Sequence, residues 1–99
     1  MTELPDFSTI DGFDWDKNNV QKNWKRHRVA FYECEEVLMS EPIVVPDHEH
    51  SQTEPRFLAL GKTMQDRLLA VFFTVRKNKF RVISARDMSR KERRDYEQD

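Results

Sequence analysis

A nearly unbroken apolar run at residues 68–75, followed at once by a polar turn, constrains the fold most strongly. A run of this length, rich in Leu, Val and Phe, is typical of a central strand buried on both faces of a sheet. Asn78 lies in the turn at residues 76–79 and tolerates a positive φ, so residues 80–85 are predicted to return as an antiparallel partner strand. Since such a sheet must be covered, we expect helices on one of its sides.

Two further strands are predicted before this hairpin. Residues 43–45 form a short apolar stretch closed by Pro46, and residues 57–63 form another after a polar loop at residues 47–55. The connections are short and favour antiparallel neighbours. The predicted fold class is therefore α+β, with N-terminal helices and a C-terminal helix packed on a mainly antiparallel four-stranded sheet.

Apolar spacing predicts the first helix. Val20 and Trp24 lie four residues apart and so share one helical face. This helix runs from Lys17 to about His27. Asp14 or Asp16 is placed to cap its start.

Two more helices follow from an apolar stripe and a capping pattern. The second helix ends before Pro42. Its stripe consists of Phe31, Cys34, Val37 and Leu38. Ser89, followed by Glu92, forms a capping box that opens a third helix running to about Glu97.

The 99 residues suit one small domain. Residues 1–12 lack periodicity and are predicted to be a flexible leader, while residues 13–99 form a single domain. No apolar run approaches the roughly 20 residues that span a bilayer. Cys34 has no second cysteine for an internal disulfide. We therefore expect a cytoplasmic protein that does not contact membrane.

The net charge of −1 averages over blocks of opposite sign. Residues 17–28 hold five Lys or Arg and no acid, and residues 31–55 hold seven acids and no Lys or Arg. Residues 76–94 hold nine Lys or Arg against two acids. One charged run is usually solvated surface, but two basic segments on one face would bind phosphate.

Three arginines on the predicted hairpin are candidates for contacting phosphate. Arg76 and Arg81 flank its turn and Arg86 ends its return strand, so we expect them to converge. A single arginine at a strand end is more often an ion-pair partner, but each guanidinium can also grip a phosphate through two hydrogen bonds. Five further basic residues are predicted to contact RNA: Lys25, Arg26, Arg56, Lys62 and Arg90.

Two residues are candidates for proton transfer. His27, at the end of the basic first helix, is the only group there that titrates near neutral pH, although it also suits a helix cap. Tyr96 offers a phenol but can equally pack against the sheet. His27 is expected to join Arg86 if the fold brings the two together.

Metal and nucleotide-phosphate chemistry have little support in the sequence. His48 and His50 bracket Glu49, but a structural zinc site needs four well-placed ligands, and this loop has no recognisable spacing. With only two glycines, the chain has no glycine-rich phosphate loop. We expect no metal and no cofactor.

Motifs in both halves resemble the BrnT family of toxins. Residues 81–86 are similar to its Arg-x-Ile-Ser-Ala-Arg motif, and residues 92–97 to its Glu-Arg-x-x-Tyr-Glu tail. Residues 54–61 resemble its Glu-Arg-Phe…Gly strand, and residues 73–76 its Thr-x-Arg strand end. The first half follows the pattern at Trp15, Asp16, Asn23, His27, Val29, Phe31, Glu35 and Val37, and it keeps the charge, though not the residue, at Arg26. The chain departs from the pattern at Asn19, Arg26, Arg28 and Ala30, where the family has Lys, Lys, Gly and Ser.

The resemblance implies a RelE-like fold and a ribonuclease toxin of a type II toxin–antitoxin system, which arrests growth. It also implies a ribbon-helix-helix antitoxin, through which alone the complex would bind operator DNA. Cleavage by the ribose 2′-hydroxyl needs a base, an acid and positive charge, but no metal. The arginines of the hairpin suit the charge, and His27 or Tyr96 the protons. A non-catalytic module that binds nucleic acid or an antitoxin, as a degenerate toxin would, is the alternative.

Overall fold

The computed structural model describes residues 6–50 and 53–98. Its helices are α1 (Lys17–His27), α2 (Phe31–Met39) and α3 (Arg90–Glu97), and its strands are β1 (Ile43–Pro46), β2 (Phe57–Lys62), β3 (Leu68–Arg76) and β4 (Lys79–Asp87). The sheet is antiparallel in the order β1-β2-β3-β4, which confirms the predicted α+β class. Among the described residues, no helix is both long and apolar enough to cross a membrane.

The apolar run is a central strand, as predicted, because β3 pairs with both β2 and β4. The hairpin turn after it places two residues at positive φ, Lys77 at 51° and Asn78 at 63°. Such a pair of left-handed residues matches the twist of the flanking strands. Farther along, a register shift between Phe72 and Phe73 marks a bulge in the β3–β4 pairing.

Helix α2 packs against one side of the sheet, which we call the covered face, and α1 lies along the outer edge of β4. The core on this face consists of Val29, Cys34, Val37, Leu38, Phe57, Ala59, Leu69, Val71, Phe73, Phe80, Val82 and Ala85. Gly61 lets α2 approach the sheet, because a Cβ there would lie 3.1 Å from the Val37 side chain and 3.2 Å from that of Pro42. Helix α2 ends before Pro42, as predicted.

The outer edge of β4 is sealed by the N-terminal part of the chain. The Phe80 N–H donates to the Gly12 carbonyl at 2.9 Å, and the Phe80 carbonyl accepts from the Asp14 N–H at 2.8 Å. Three α1 side chains form hydrogen bonds with the same edge. Asn19 donates to the Val82 carbonyl and Lys22 to the Ile83 carbonyl, and the Asn23 side chain accepts from the Ala85 N–H. Helix α1 begins after Asp16, whose carboxylate caps it.

Residues 6–12, which belong to the predicted flexible leader, contact the folded domain. Phe7 packs with its ring centroid 6.0 Å from that of Phe73 and 5.8 Å from that of Phe80. The Asp11 N–H also donates to the Asn78 carbonyl at 2.9 Å. Periodicity failed to reveal this contact because a short 3-10 turn, Phe7–Thr9, supplies only one large ring. Residues 1–5 of the predicted leader lie outside the described residues.

The opposite side of the sheet, which we call the open face, is covered at one end by α3 and, within residues 6–50 and 53–98, by no other helix. There Tyr96 of α3 packs against a small cluster that includes Leu60, Ala70 and Met88. Next to this cluster, Ser84 lies opposite Phe72 and Arg86 lies opposite Ala70. The polar side chains of Ser84 and Arg86 are thus close to the Phe72 ring. A short 3-10 turn after β1, His48–His50, borders the same region.

Candidate functional site

Arg86 is held rigidly at the helix-covered end of the open face. Its guanidinium donates to both carboxylate oxygens of Glu92, at 2.7 and 3.0 Å, and lies 5.4 Å from the ring centroid of Phe72. Glu92 also accepts from the Ser89 N–H at 2.8 Å, so the predicted capping box of α3 is confirmed and shared with Arg86. The hydrogen bond from Arg86 lowers the pKa of Glu92 below its usual 4.5 and keeps the pair charged.

The pairing leaves Arg86 able to bind an anion. Its guanidinium makes three hydrogen bonds, two to Glu92 and one to the Asp87 carbonyl at 3.2 Å. An arginine carries more N–H groups than these three contacts use. A phosphate can therefore be bound by Arg86 while Glu92 keeps the side chain in place.

Arg76 and Arg81 lie at the other end of the hairpin. Arg76 donates twice to Glu54, both at 3.1 Å. Arg81 pairs with Asp14 at 3.2 Å and with Asp16 at 3.3 Å. Each of these predicted phosphate ligands is thus bound to carboxylates of the chain itself.

The expected convergence of the three arginines is corrected by the register of the strands. Arg76 lies opposite Lys79, whereas Arg86 lies opposite Ala70. Six residues of extended β3 separate these two pairs, a distance of about 20 Å. One phosphate group therefore cannot contact both Arg76 and Arg86.

His27 lies in a different cluster, at the end of the sheet. It is the last residue of α1 and is exposed. The hydrogen bond from Arg67 to Asp87, at 2.8 Å, is the main cause that lowers the pKa of Asp87, and the neighbouring basic groups, among them His27, add to it. His27 thus lies near Asp87, the residue after Arg86, but it is not among the side chains that line the concavity of the open face.

Arg67 is the central residue of this end cluster, and sequence reasoning missed it. Its guanidinium donates to the backbone carbonyls of His27 at 3.0 Å and Arg28 at 2.8 Å. It also binds both carboxylate oxygens of Glu33 and both of Asp87. Arg67 thereby joins the end of α1, the start of α2 and the end of β4. An arginine in a short turn gives no sequence signal of such a role.

A concavity of about 250 Å³ lies on the open face. It is lined by Asp47, His50, Arg56, Phe72, Ile83 and Ser84. The Asp47 N–H donates to the Arg56 carbonyl at 2.8 Å, which extends the β1–β2 pairing beyond Pro46. Arg56 was predicted to contact RNA, and the structure places it beside an aromatic ring and a hydroxyl.

An imidazole–carboxylate pair forms one wall of this concavity. Nδ1 of His50 lies 3.0 Å from Oδ2 and 3.2 Å from Oδ1 of Asp47. The Asp47 side chain is 13% exposed and that of His50 is 56% exposed. Sequence reasoning considered this loop only for metal. Within residues 6–50 and 53–98, no three His, Cys, Asp or Glu side chains are grouped to hold a metal ion.

The other predicted site residues are spread over the surface. Lys25 and Arg26 are exposed on the last turn of α1, and Arg90 is exposed at the start of α3. Lys62 ends β2, with its ammonium group 3.6 Å from Asp66. Tyr96 is half-buried against the apolar cluster beneath α3, as the packing alternative expected.

Two of the departures from the BrnT pattern have a structural meaning. Arg28 caps the C-terminal end of α1 with φ 54° and ψ 38°, a left-handed conformation that favours glycine. Its guanidinium lies 5.4 Å from the Trp24 ring centroid. Ala30 occupies the N-cap of α2 without a side-chain hydrogen bond, a position that suits serine.

Comparisons with known proteins identify the family. The sequence model described as "Ribonuclease toxin, BrnT, of type II toxin-antitoxin system" matches residues 15–92. The crystal structure of the Brucella abortus ribonuclease toxin BrnT superposes with a TM-score of 0.62 and 26% sequence identity, covering 80% of this chain and 97% of that one. No curated protein sequence matches the chain. The chain belongs to the BrnT family of ribonuclease toxins of type II toxin–antitoxin systems.

Proposed function

We propose that the open face of the sheet cleaves RNA without a metal ion, by attack of a ribose 2′-hydroxyl on the adjacent phosphorus. The observation that supports this most is the concavity beside Arg86, because it brings charge and an aromatic surface together. Arg56 and Arg86 supply positive charge near Phe72, whose ring offers a surface for a base. The volume suits a single nucleotide rather than a folded RNA element.

Arg86 is the proposed ligand of the reacting phosphate. A guanidinium fixed by Glu92 needs no reorganisation when charge develops on the phosphorane, and this is the condition for effective electrostatic stabilisation. Arg56, which lines the concavity, is the second proposed ligand. Removing one preorganised donor of this kind typically costs a factor of about 10² to 10³ in rate.

Arg76 and Arg81 are proposed to contact neighbouring phosphates of the bound strand. Their carboxylate partners are partly exposed, and exposed ion pairs contribute only about 0–1 kcal/mol. A phosphate of the RNA can therefore displace or share these partners. Lys25, Arg26, Lys62 and Arg90 would add long-range attraction rather than catalysis.

Membership of the family implies a protein antitoxin and an RNA target. We propose that the antitoxin is a ribbon-helix-helix protein, and that operator DNA is bound only through it. Cleavage of cellular RNA in the cytoplasm would arrest translation and growth. Co-expression with the neighbouring reading frame should restore growth, and its failure to do so would refute this choice of partner.

The test of cleavage uses the purified chain, labelled RNA and an excess of EDTA. Wild-type protein should yield fragments ending in a 2′,3′-cyclic phosphate, and Arg86→Ala should slow the reaction by about 10² or more. Arg94→Ala is the matched control, because it also removes one arginine charge, from an exposed position on α3, the helix whose Glu92 holds Arg86. RNA that is bound but stays intact would instead identify a non-catalytic module.

A further inference from the structure

We propose that His50, oriented by Asp47, is the general base that removes the proton of the attacking 2′-hydroxyl. This inference rests on the proposed function, because it assigns one step of the cleavage to a residue of the same concavity. It differs from the sequence-based expectation, in which His27 or Tyr96 moved protons.

The geometry fixes which nitrogen of His50 takes part. Nδ1 lies within hydrogen-bond distance of both Asp47 oxygens, so the carboxylate accepts the Nδ1 proton. The neutral imidazole then has Nε2 unprotonated and able to accept a proton. A carboxylate behind the ring also stabilises the imidazolium that forms in the transition state, as in other base–carboxylate pairs.

The two partners differ in exposure in the way that this role requires. Asp47 is largely buried, so its position is fixed by the structure around it, whereas more than half of the His50 side chain is accessible. The His50 N–H also donates to the Asp47 carbonyl at 3.3 Å, which ties the two residues together within one 3-10 turn. His50 is thus held in orientation and remains open to substrate.

His27 lacks these features. Among the described residues, no carboxylate forms a hydrogen bond with its imidazole, and its backbone carbonyl is used in the Arg67 cluster. Tyr96 packs into the apolar cluster under α3. Of the three candidates, His50 is the one that lines the concavity with Arg56, Phe72 and Ser84.

The step balances without a cofactor. Nε2 of His50 takes the 2′-hydroxyl proton as the 2′-oxygen forms a bond to phosphorus. The bond from phosphorus to the 5′-oxygen breaks, and that oxygen takes a proton from water and leaves as a hydroxyl. The hydroxide that remains takes the proton from the His50 imidazolium, which restores the neutral ring. Arg56, which lines the concavity, and Arg86, which lies against Phe72, are the proposed ligands of the phosphate, whose oxygens carry the developing charge. The products are a 2′,3′-cyclic phosphate and a 5′-hydroxyl end.

The experiment compares His50→Gln, Asp47→Asn and His48→Ala with wild type and with Arg86→Ala. His48 is the matched control, because it lies in the same 3-10 turn but does not line the concavity. Cleavage of labelled RNA gives the rate, and binding of an RNA with a 2′-deoxy substitution at the cleavage position gives affinity without turnover. Thermal melting checks that each variant is folded.

His50→Gln should lower the cleavage rate by about 10² to 10⁴ with unchanged affinity for the 2′-deoxy RNA, the usual contribution of a general base. Asp47→Asn should lower it as well, and His48→Ala should not. If wild type cleaves and Arg86→Ala does not, but His50→Gln cleaves normally, the assignment of the base is wrong and the proposed function stands. If folded wild type does not cleave, the proposed function fails, and the assignment fails with it.

Discussion

Removal of the Arg67 side chain tests how the end of the sheet is held together. Arg67→Ala deletes every contact between this guanidinium and the carboxylates of Glu33 and Asp87. It also leaves the carbonyls of His27 and Arg28 without their donor. The perturbation therefore separates α1 and α2 from the end of β4 without touching the apolar core.

The magnitude follows from the exposure of the partners. The Asp87 side chain is 60% exposed, so its ion pair contributes little, about 0–1 kcal/mol. The Glu33 side chain is only 17% exposed. Glu33 and the carbonyls of His27 and Arg28 each lose a charge-assisted hydrogen bond, which contributes about 1 kcal/mol or somewhat more. The sum is about 3–4 kcal/mol in the free energy of unfolding. For a domain of this size, the melting temperature should fall by about 15–30 °C.

Urea unfolding and thermal melting, each followed by circular dichroism, measure this loss. Lys62→Ala is the matched control, since Lys62 flanks the same turn and its ion pair with Asp66 is exposed on both sides. It should change the free energy of unfolding by less than about 0.5 kcal/mol. A loss below about 0.5 kcal/mol for Arg67→Ala as well would refute the role assigned to this cluster.

Three further predictions concern stability and reactivity. Arg28→Gly should be more stable than Arg28→Ala by about 1 kcal/mol in urea unfolding, because position 28 is left-handed; equal stabilities would contradict this. Burial raises the pKa of the Cys34 thiol to about 12, so a thiol reagent at pH 8 should label it only after unfolding, and rapid labelling of the native protein would count against its burial. Glu92 has a folded-state pKa below its unfolded value, so the unfolded state binds more protons as the pH falls below about 4.5. The free energy of unfolding should therefore drop with falling pH in wild type and less steeply in Glu92→Gln, and parallel curves would contradict the pairing with Arg86.

Local patterns were enough to predict the elements of the fold. The apolar run of β3, the Asn78 turn and the capping box of α3 are encoded within a few residues, and the structure confirms each of them. The contribution of Phe7 to the core was not visible, because one aromatic residue in a short 3-10 turn makes no periodic pattern.

The candidate site was harder to predict because it depends on contacts between distant residues. Arg56 and Arg86 could be chosen by charge, but charge alone could not show that carboxylates hold Arg76 and Arg81. The distance between the two ends of the hairpin follows from the strand register, which includes a bulge. The Asp47–His50 pair has a local signal, an acid three residues before a histidine, but the concavity is formed by β3 and β4 from elsewhere in the chain.

The most direct test of the account is cleavage of RNA by the purified chain in EDTA, with wild type, Arg86→Ala and Arg94→Ala measured side by side. Cleavage by wild type and by Arg94→Ala, with 2′,3′-cyclic phosphate ends and a loss of about 10² or more in Arg86→Ala, is the predicted result. Equal rates for all three proteins would contradict the proposed site on the open face. Cleavage that occurs only after a divalent metal is added would contradict the proposed chemistry.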